Sequence, residues 1–503
     1  MSHWIIAPIV IPAMVAALIV LFLRNRQGLT RAVSLAGAVA VLAVSVALAT
    51  AAAGGPPEMY ALGNWPAPFG IVLVLDRLSA LMVLLTSVLG VIGLLYALSG
   101  WDDRGPHFHA LWQFQLMGVN GAFLTGDLFN LFVFFEILLI ASYGLILHGA
   151  GRARLKAGLH YVMINLVGSA LFLIGVGLIY GITGTLNMAD LILKVPLATG
   201  SDAALLKTGA MILLVVFGLK AALVPIHLWL PAAYANAPAP VAALFAIMTK
   251  VGVYAIIRVY TMIFGGGAGE SAWLAGAWLL PAALATLVIG ALGVLAARTL
   301  GRLAAFALLA STGTLMTAVS LFTPTALEAA LYYMVHSTLA AAALFLVADL
   351  IARNRGSHGD LVTVAPRFRQ AEVLSALFLT AAIGLAGMPP LSGFIGKLLI
   401  LDSARASGAA VWIWAAILIT SLILIVGFAR AGSSLFWKSA AQDGFIDAPA
   451  IPRQAFAVAA AILPLAGMAA LVAAAGPITV YLAAAADQVF DSSAYVAAVL
   501  GAP

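Results

Sequence analysis

The feature that most constrains this chain is a succession of long apolar segments that fills almost its whole length. A helix needs about 20 apolar residues to cross a hydrocarbon layer of roughly 30 Å. Fourteen segments of that kind follow one another with only short polar connections between them. We number them as spans 1–14, near 4–23, 32–53, 74–98, 110–126, 129–148, 159–182, 205–234, 240–262, 271–296, 302–322, 327–349, 372–402, 409–436 and 455–475. The sequence therefore predicts an all-α polytopic membrane protein with about 14 transmembrane helices.

The composition excludes a soluble fold. Of the 503 residues, 64% are hydrophobic and 8% are charged, whereas a soluble domain carries roughly 25% charged residues. The chain has no cysteine, which excludes disulfides, thiolate metal sites and cysteine nucleophiles. The net charge of +6 indicates membrane topology and not a nucleic-acid partner, because loop lysines and arginines orient membrane proteins.

The basic residues are divided unequally between the two sides of the predicted membrane domain. Sixteen of the 24 lysines and arginines fall in the loops after spans 1, 3, 5, 9, 11 and 13. We call this side the basic face and the other the opposite face. Because the basic side of a membrane protein faces the cytoplasm, we expect both termini to lie outside it.

Two spans are interrupted by proline and glycine. Span 7 carries Pro225 and Pro231, and span 12 carries Pro389 and Pro390 within the segment 387–393. Proline breaks helical hydrogen bonding, and paired broken helices in a membrane protein indicate a transport path. Prolines are also simply frequent in membrane helices, which is the plainer interpretation.

The breaks recur with a spacing of five spans. Spans 4–8 and spans 9–13 each form a five-helix unit that is broken at its fourth member. An odd number of spans repeated in tandem must be inverted the second time, so the sequence predicts two inverted repeats. The predicted division is spans 1–3 in 1–100, the first repeat in 110–262, the second in 271–437, and a C-terminal loop, span 14 and tail in 438–503.

Five ionisable residues form an ordered line near the middle of the predicted membrane domain, namely Glu136, Lys220, Lys250, His336 and Lys397. A charged residue at a helix centre costs roughly 2.5–3.5 kcal/mol on insertion scales, and such residues mark proton relays. Lys220 is the natural partner of Glu136, because a carboxylate stabilises a buried ammonium. The alternatives are a static ion pair between these two residues, lysines that reach the membrane surface, and a histidine that is merely hydrogen-bonded.

Two further residues are secondary candidates. His227 lies at the first break, where it serves either the relay or the local backbone, and Asp127 lies at the start of span 5. Pro225, Pro389 and Pro390 are the predicted hinges of the broken helices. The sequence contains no nucleotide-binding loop, dinucleotide fingerprint, metal-ligand spacing or nucleophile triad. It therefore predicts neither an enzyme in its own right nor a cofactor or metal site.

Three segments resemble a known family. TGDLFNLFVFFEILLIASYG at 125–144 is similar to the span 5 signature of the proton-translocating subunits shared by respiratory complex I and Mrp antiporters. KAALVPIHLWLP at 220–231 and PPLSGFIGK at 389–397 resemble the broken helices of that family. The resemblance covers about 75–437. The lysine on span 12 and the amino-acid sequence around Glu136 favour the D-type branch of the Mrp (Pha or Mnh) monovalent cation/proton antiporter subunits.

The resemblance implies a function and partners. Glu136 and Lys220 would form the first pair of a proton relay, Lys250 would connect it to His336, and Lys397 would end it. Some relatives carry another polar relay residue one turn after the histidine, where this chain has Ala340 and Ala341, so water would bridge that step. The chain would work with other Mrp-type subunits in a bacterial inner membrane and couple H⁺ to Na⁺ or K⁺.

A second function class remains open from the sequence. The same residues would serve a proton-pumping membrane subunit of complex I or of a membrane-bound hydrogenase, where redox chemistry in other chains drives the protons. A helix-12 glutamate would have favoured one branch of complex I, and Lys397 weakens the redox interpretation without excluding it.

Overall fold

The computed structural model describes residues 2–501 and is mostly helical. We number its α-helices α1–α20. The first ten are Ala7–Leu18, Gln27–Gly54, Arg77–Ala97, Phe108–Leu124, Leu128–Ile146, Arg152–Thr183, Met188–Lys194, Gly200–Lys220, Trp229–Asn236 and Ala239–Ile257. The others are Gly276–Ala296, Leu300–Val319, Pro324–Asn354, Ala371–Ala386, Ser392–Ser403, Ala410–Gly432, Lys438–Ala440, Gln454–Ala473, Ala475–Phe490 and Ser493–Leu500. Short π-helical segments continue α1, α10 and α16.

The predicted helical membrane class is confirmed. Among the described residues, eleven helices are long and apolar enough to cross a membrane. Most predicted spans correspond to one helix each: spans 1–6 to α1–α6, span 8 to α10, spans 9–11 to α11–α13, span 13 to α16 and span 14 to α18. The two broken spans correspond to two helices each, span 7 to α8 with α9 and span 12 to α14 with α15. Several boundaries differ from the prediction; α6, for example, begins at Arg152 and not near 159.

Two small sheets interrupt the helical architecture, and the all-α prediction missed both. Strand β1 (Glu58–Ala61) pairs antiparallel with β2 (Val72–Leu75) on the opposite face. Strand β3 (Arg367–Phe368) pairs in parallel with β4 (Phe445–Ile446) on the basic face. The strands are two to four residues long, too short for a periodic hydrophobic pattern to identify them.

Burial places α10 at the centre of the molecule. All 19 of its residues are buried, and it packs against α3, α8 and α13. By contrast, α6 and α16 present exposed apolar side chains such as Leu166, Val167, Ile419 and Leu422. In a membrane such side chains face hydrocarbon or a neighbouring chain, because apolar surface of this extent is unfavourable in water.

Both predicted breaks are present. Helix α8 ends at Lys220, and helical structure resumes at Trp229 after a turn in which Ala222 has a φ of 56°. Helix α14 ends at Ala386, and Gly387, with a φ of 77°, leads into the turn before α15. A left-handed residue stops the helix, and the following proline cannot supply the N–H that would continue it.

The C-terminal tail is helical and packs on the molecule. Helix α19 contacts α3 and α13 as well as the π-helical end of α10, and α20 contacts α7 and β1. Most of this segment was predicted only as a tail after span 14. Its short helices and alanine-rich composition gave no span-length signal, although their buried residues join the core.

Candidate functional site

The first pair of candidate residues lies where α5, α6 and α8 meet. The Lys220 Nζ donates a hydrogen bond to Asn165 Oδ1 at 2.9 Å, and the Ser169 hydroxyl donates one to Glu136 Oε1. Among the described ion pairs, none joins Glu136 directly to Lys220. In this conformation the two predicted partners are therefore linked through the Ser169 and Asn165 side chains of α6 and not by an ion pair.

Asn165 and Ser169 were not identified from the sequence. They are four residues apart on α6, and the Ser169 hydroxyl also hydrogen-bonds the Asn165 carbonyl oxygen at 3.1 Å. Residues at that spacing share one face of a helix. The signal for them in the sequence is a pair of polar residues at helical spacing in a long apolar segment. Such a pair indicates a polar face even though neither residue is charged.

Lys250 occupies the most enclosed position of the candidate residues. Its side chain is 0% exposed, and its Nζ has no hydrogen-bond partner among the described protein atoms. Two residues further along α10, Gly252 packs directly on the end of α8: a Cβ there would lie 2.6 Å from the Ala221 nitrogen and 3.0 Å from the Lys220 carbonyl carbon. This glycine therefore lets α10 approach the Lys220 backbone closely.

His336 contacts the second broken span. Its Nδ1 lies 2.8 Å from the Ser392 hydroxyl, which belongs to the first turn of α15. A Cβ on the next residue, Gly393, would lie 2.7 Å from His336 Nε2 and 2.0 Å from the Gly384 carbonyl oxygen. The absence of a side chain at Gly393 thus allows α13, α14 and α15 to meet around the imidazole.

Lys397 lies on the same broken span. Its Nζ donates hydrogen bonds to the Ala386 carbonyl oxygen at 2.9 Å and to the Ser421 hydroxyl at 2.8 Å. Ala386 ends α14, so its carbonyl is one of those left free by the end of a helix. Ser421 belongs to α16 and was not identified from the sequence. The break therefore supplies an acceptor for a buried ammonium group.

The secondary candidates have different surroundings. His227 lies buried in the turn between α8 and α9, which also contains Pro225. Asp127 precedes α5 and accepts the Asn130 backbone N–H at 2.8 Å, as an N-terminal cap does. Pro389 and Pro390 lie in the turn between α14 and α15, whereas Pro231 lies in the first turn of α9.

The candidate residues form a line of polar groups, in which Glu136 is half-buried and the other four are buried. It runs from Glu136 through the Asn165 and Ser169 side chains to Lys220, and the contacts of α10 and α13 connect that region to Lys250, His336 and Lys397. Within residues 2–501, no cluster of three or more potential metal-ligating side chains occurs. Carboxylate, ammonium and imidazole groups can accept and release protons.

The chain is similar to membrane subunits of cation/proton antiporters and of related complexes. The family described as NADH:quinone oxidoreductase/Mrp antiporter, TM, matches residues 125–424. The D subunit of a probable K⁺/H⁺ antiporter from Rhizobium meliloti is 42% identical, over 100% of this chain and 98% of that protein. The D subunit of the Na⁺/H⁺ antiporter from Alkalihalophilus pseudofirmus is 38% identical, over 99% of this chain and 100% of that protein. A chain of the Mrp complex from Dietzia sp. DQ12-45-1b has a TM-score of 0.88 and 28% identity, with 100% of both chains covered.

Proposed function

Because the chain belongs to the NADH:quinone oxidoreductase/Mrp antiporter membrane family, we propose that it is the proton-conducting D-type subunit of a multi-subunit monovalent cation/proton antiporter. Its partners are other Mrp-type membrane subunits, and the exchanged ions are H⁺ and Na⁺ or K⁺. The names of the similar antiporter subunits and their full-length coverage support this function. A transporter subunit of this kind needs no cofactor and performs no redox chemistry itself.

The observation that carries the proposal is the linkage of Glu136 to Lys220 through α6. A carboxylate and an ammonium group joined by a serine and an asparagine can exchange partners without leaving charge unsatisfied, since both bridging side chains offer hydrogen bonds. Protonation of Glu136 would weaken its electrostatic attraction for the Lys220 ammonium and favour proton release further along the relay. The order of the relay is Glu136, Lys220, Lys250, His336 and Lys397, with His227 and Asp127 as secondary members.

The energetics allow such a relay to drive cation transport. A proton that crosses a potential of 100 mV releases about 2.3 kcal/mol. Exchange of more than one proton per cation therefore provides a net driving force for cation efflux. The relay supplies the proton side of this exchange, and the cation crosses either through this chain or through a partner chain.

The proposed architecture comprises 14 transmembrane helices. Residues 1–100 form spans 1–3, 110–262 and 271–437 form two inverted five-helix repeats, and 438–503 hold the final loop, span 14 and the tail. Interruption of the fourth member of each repeat supports this division. The excess of basic residues on one face supports a bacterial inner-membrane location with both termini outside the cytoplasm.

The experiment that tests the function is purification of the intact assembly. The chain is tagged, the assembly is isolated from its native membrane in mild detergent, and co-purifying chains, iron and flavin are measured. We expect small membrane subunits without iron or flavin, followed by cation-dependent proton movement in vesicles. Iron-rich peripheral subunits would contradict the proposal and assign the relay to a redox-driven pump.

A further inference from the structure

A buried ion pair lies on the opposite face, outside the relay. The Arg258 guanidinium forms an ion pair with Asp76: Nη2 donates a hydrogen bond to Oδ1 at 2.6 Å, and Nη1 lies 2.6 Å from Oδ2. The two side chains are 3% and 2% exposed. Desolvation offsets much of the attraction in such a pair, so it is weak evidence for stability. Ionisable groups enclosed in a membrane domain are instead a default indication of function.

The pair lies on the continuation of the helix that carries Lys250. Arg258 follows Lys250 by eight residues, which corresponds to about 12 Å along a helix. Tyr254 lies between them: its hydroxyl accepts a hydrogen bond from Arg258 Nε at 3.0 Å and donates one to the Phe123 carbonyl oxygen at 2.5 Å. A route from Lys250 along α10 to the opposite face therefore meets Tyr254 and then the ion pair.

The backbone changes at the same point. The π-helical segment of α10 begins at Arg258, and π-helical turns occur frequently at functional sites. Helices α7 and α19 pack against this segment. The pair is thus enclosed by α3, α10 and the elements of the opposite face, not by lipid.

The C-terminal helices cover the ion pair. The Tyr495 ring in α20 is 2% exposed, and its centroid lies 5.7 Å from Arg258 Cζ. Helix α19 binds the residue that follows Asp76: the Arg77 N–H donates to Gln488 Oε1 at 3.2 Å, and the Tyr481 hydroxyl donates to the Arg77 carbonyl oxygen at 2.9 Å. The tail therefore holds both the start of α3 and the guanidinium in place.

We propose that the Arg258–Asp76 pair is the closed gate of a side branch at Lys250, and that it prevents relay protons from leaking to the opposite face. This inference rests on the proposed function of Lys250. An arginine stays charged at any physiological pH, and a fixed arginine beside a water path excludes protons and cations. Asp76 positions that charge. Without Arg258, the freed Asp76 carboxylate and the Tyr254 hydroxyl would extend the path beyond Lys250.

The test measures passive proton flux in proteoliposomes that contain the complete assembly. A pH gradient is imposed without any Na⁺ or K⁺ difference, and an enclosed pH-sensitive dye reports the flux. We expect Arg258→Gln to raise the flux on the order of tenfold, which corresponds to about 1.4 kcal/mol of lost barrier. Arg258→Lys keeps the charge and should leak less. The matched control is Arg405→Gln, which removes an exposed arginine 3.0 Å from Asp402.

Further variants decide the route of the leak. Adding Lys250→Met to Arg258→Gln should return the flux to the wild-type level. Persistence of the leak in that double variant would overturn the branch at Lys250, and an unchanged flux in an assembled Arg258→Gln protein would overturn the gate. If Arg258→Gln does not assemble, Tyr495→Leu replaces it: a raised flux supports the gate, and an unchanged flux overturns it. Absence of cation-driven exchange in the wild-type vesicles would instead contradict the proposed function.

Discussion

The two broken spans hold their lysines in different ways. Lys220 ends α8, before the first break, and its ammonium group binds the Asn165 amide, which lies four residues from the serine that binds Glu136. Lys397 follows the second break and binds the free Ala386 carbonyl and the Ser421 hydroxyl. Among the described ion pairs, none joins either lysine to a carboxylate, so the difference lies in the hydrogen-bond acceptors.

This difference lies in the chemistry of the neighbouring groups. Lys220 is linked through α6 to a carboxylate, Glu136, which is an ionisable group. Near Lys397, the acceptors are a helix-terminal carbonyl and a hydroxyl, which carry fixed dipoles and do not titrate at physiological pH. In the proposed relay, the first break therefore responds to proton arrival, whereas the second offers a steady acceptor.

The largest effect is expected from removing either Glu136 or Lys220. Glu136→Gln should lower cation-driven proton exchange on the order of 100-fold, a typical factor for loss of a positioned proton-transfer group, and Lys220→Ala should abolish it. Both variants should assemble. Exchange is measured in inverted vesicles, with Glu372→Gln as a control because Glu372 is an exposed carboxylate at the start of α14. Exchange that survives either relay change would remove that step from the relay.

A second prediction compares a glycine beside His336 on the second broken span with a glycine on α6 near Lys220. An alanine Cβ at Gly393 would lie 2.0 Å from the Gly384 carbonyl oxygen, whereas at Gly168 the nearest atom is Leu219 Cδ2 at 3.4 Å. Overpacking costs typically about 1–3 kcal/mol, so Gly393→Ala should reduce both assembly yield and exchange. Gly168→Ala should stay near wild type. Equal behaviour of the two variants in thermal stability and exchange assays would contradict this account of the packing around His336.

The third prediction sharpens the role of α6. Asn165→Leu leaves the Lys220 ammonium without its side-chain acceptor, and hydrogen bonds to charged groups are worth about 1.5–3 kcal/mol. We expect exchange to fall about tenfold or more in the vesicle assay. Asn165→Asp, which keeps an acceptor oxygen, serves as the matched comparison. If Asn165→Leu exchanged ions as fast as Asn165→Asp, the contact with Lys220 would have no part in transport.

The smallest effect is expected at the second break. Ser421→Ala removes one of the two acceptors of Lys397, but the Ala386 carbonyl remains. A hydrogen bond to a charged group is worth about 1.5–3 kcal/mol, but the remaining carbonyl acceptor offsets most of that loss. Exchange should therefore slow only about two- to fivefold. A loss as large as that of Lys220→Ala would show that Ser421 itself belongs to the proton path, and that the second end is not held mainly by the helix terminus.

The sequence predicted the features that depend on strong local signals. Apolar length identified the membrane helices, and proline with glycine identified both breaks, because each acts on the backbone where it stands. The contacts of Asn165, Ser169 and Ser421 could not be predicted in the same way. Their partners lie 55, 33 and 24 residues away, and serine or asparagine in a membrane helix most often bonds its own backbone.

The sequence predicted Glu136 and Lys220 as partners but not the α6 side chains through which they are linked in this conformation. Opposite charges on neighbouring helices favour pairing, but the position of α6 decides whether the side chains can meet. The close approaches at Gly252 and Gly393 were likewise invisible in the sequence, because a glycine in a membrane helix has no pattern that reveals which backbone lies against it.

In the proposed relay, Lys250 connects the two broken spans into one proton path. The most direct test is Lys250→Met, which preserves the length and apolar stem of the side chain and leaves both ends of the relay intact. Cation-driven proton exchange is measured in proteoliposomes with the complete assembly at matched protein content. We expect exchange to fall to the level of Lys220→Ala. Exchange at the wild-type rate would contradict a path through Lys250.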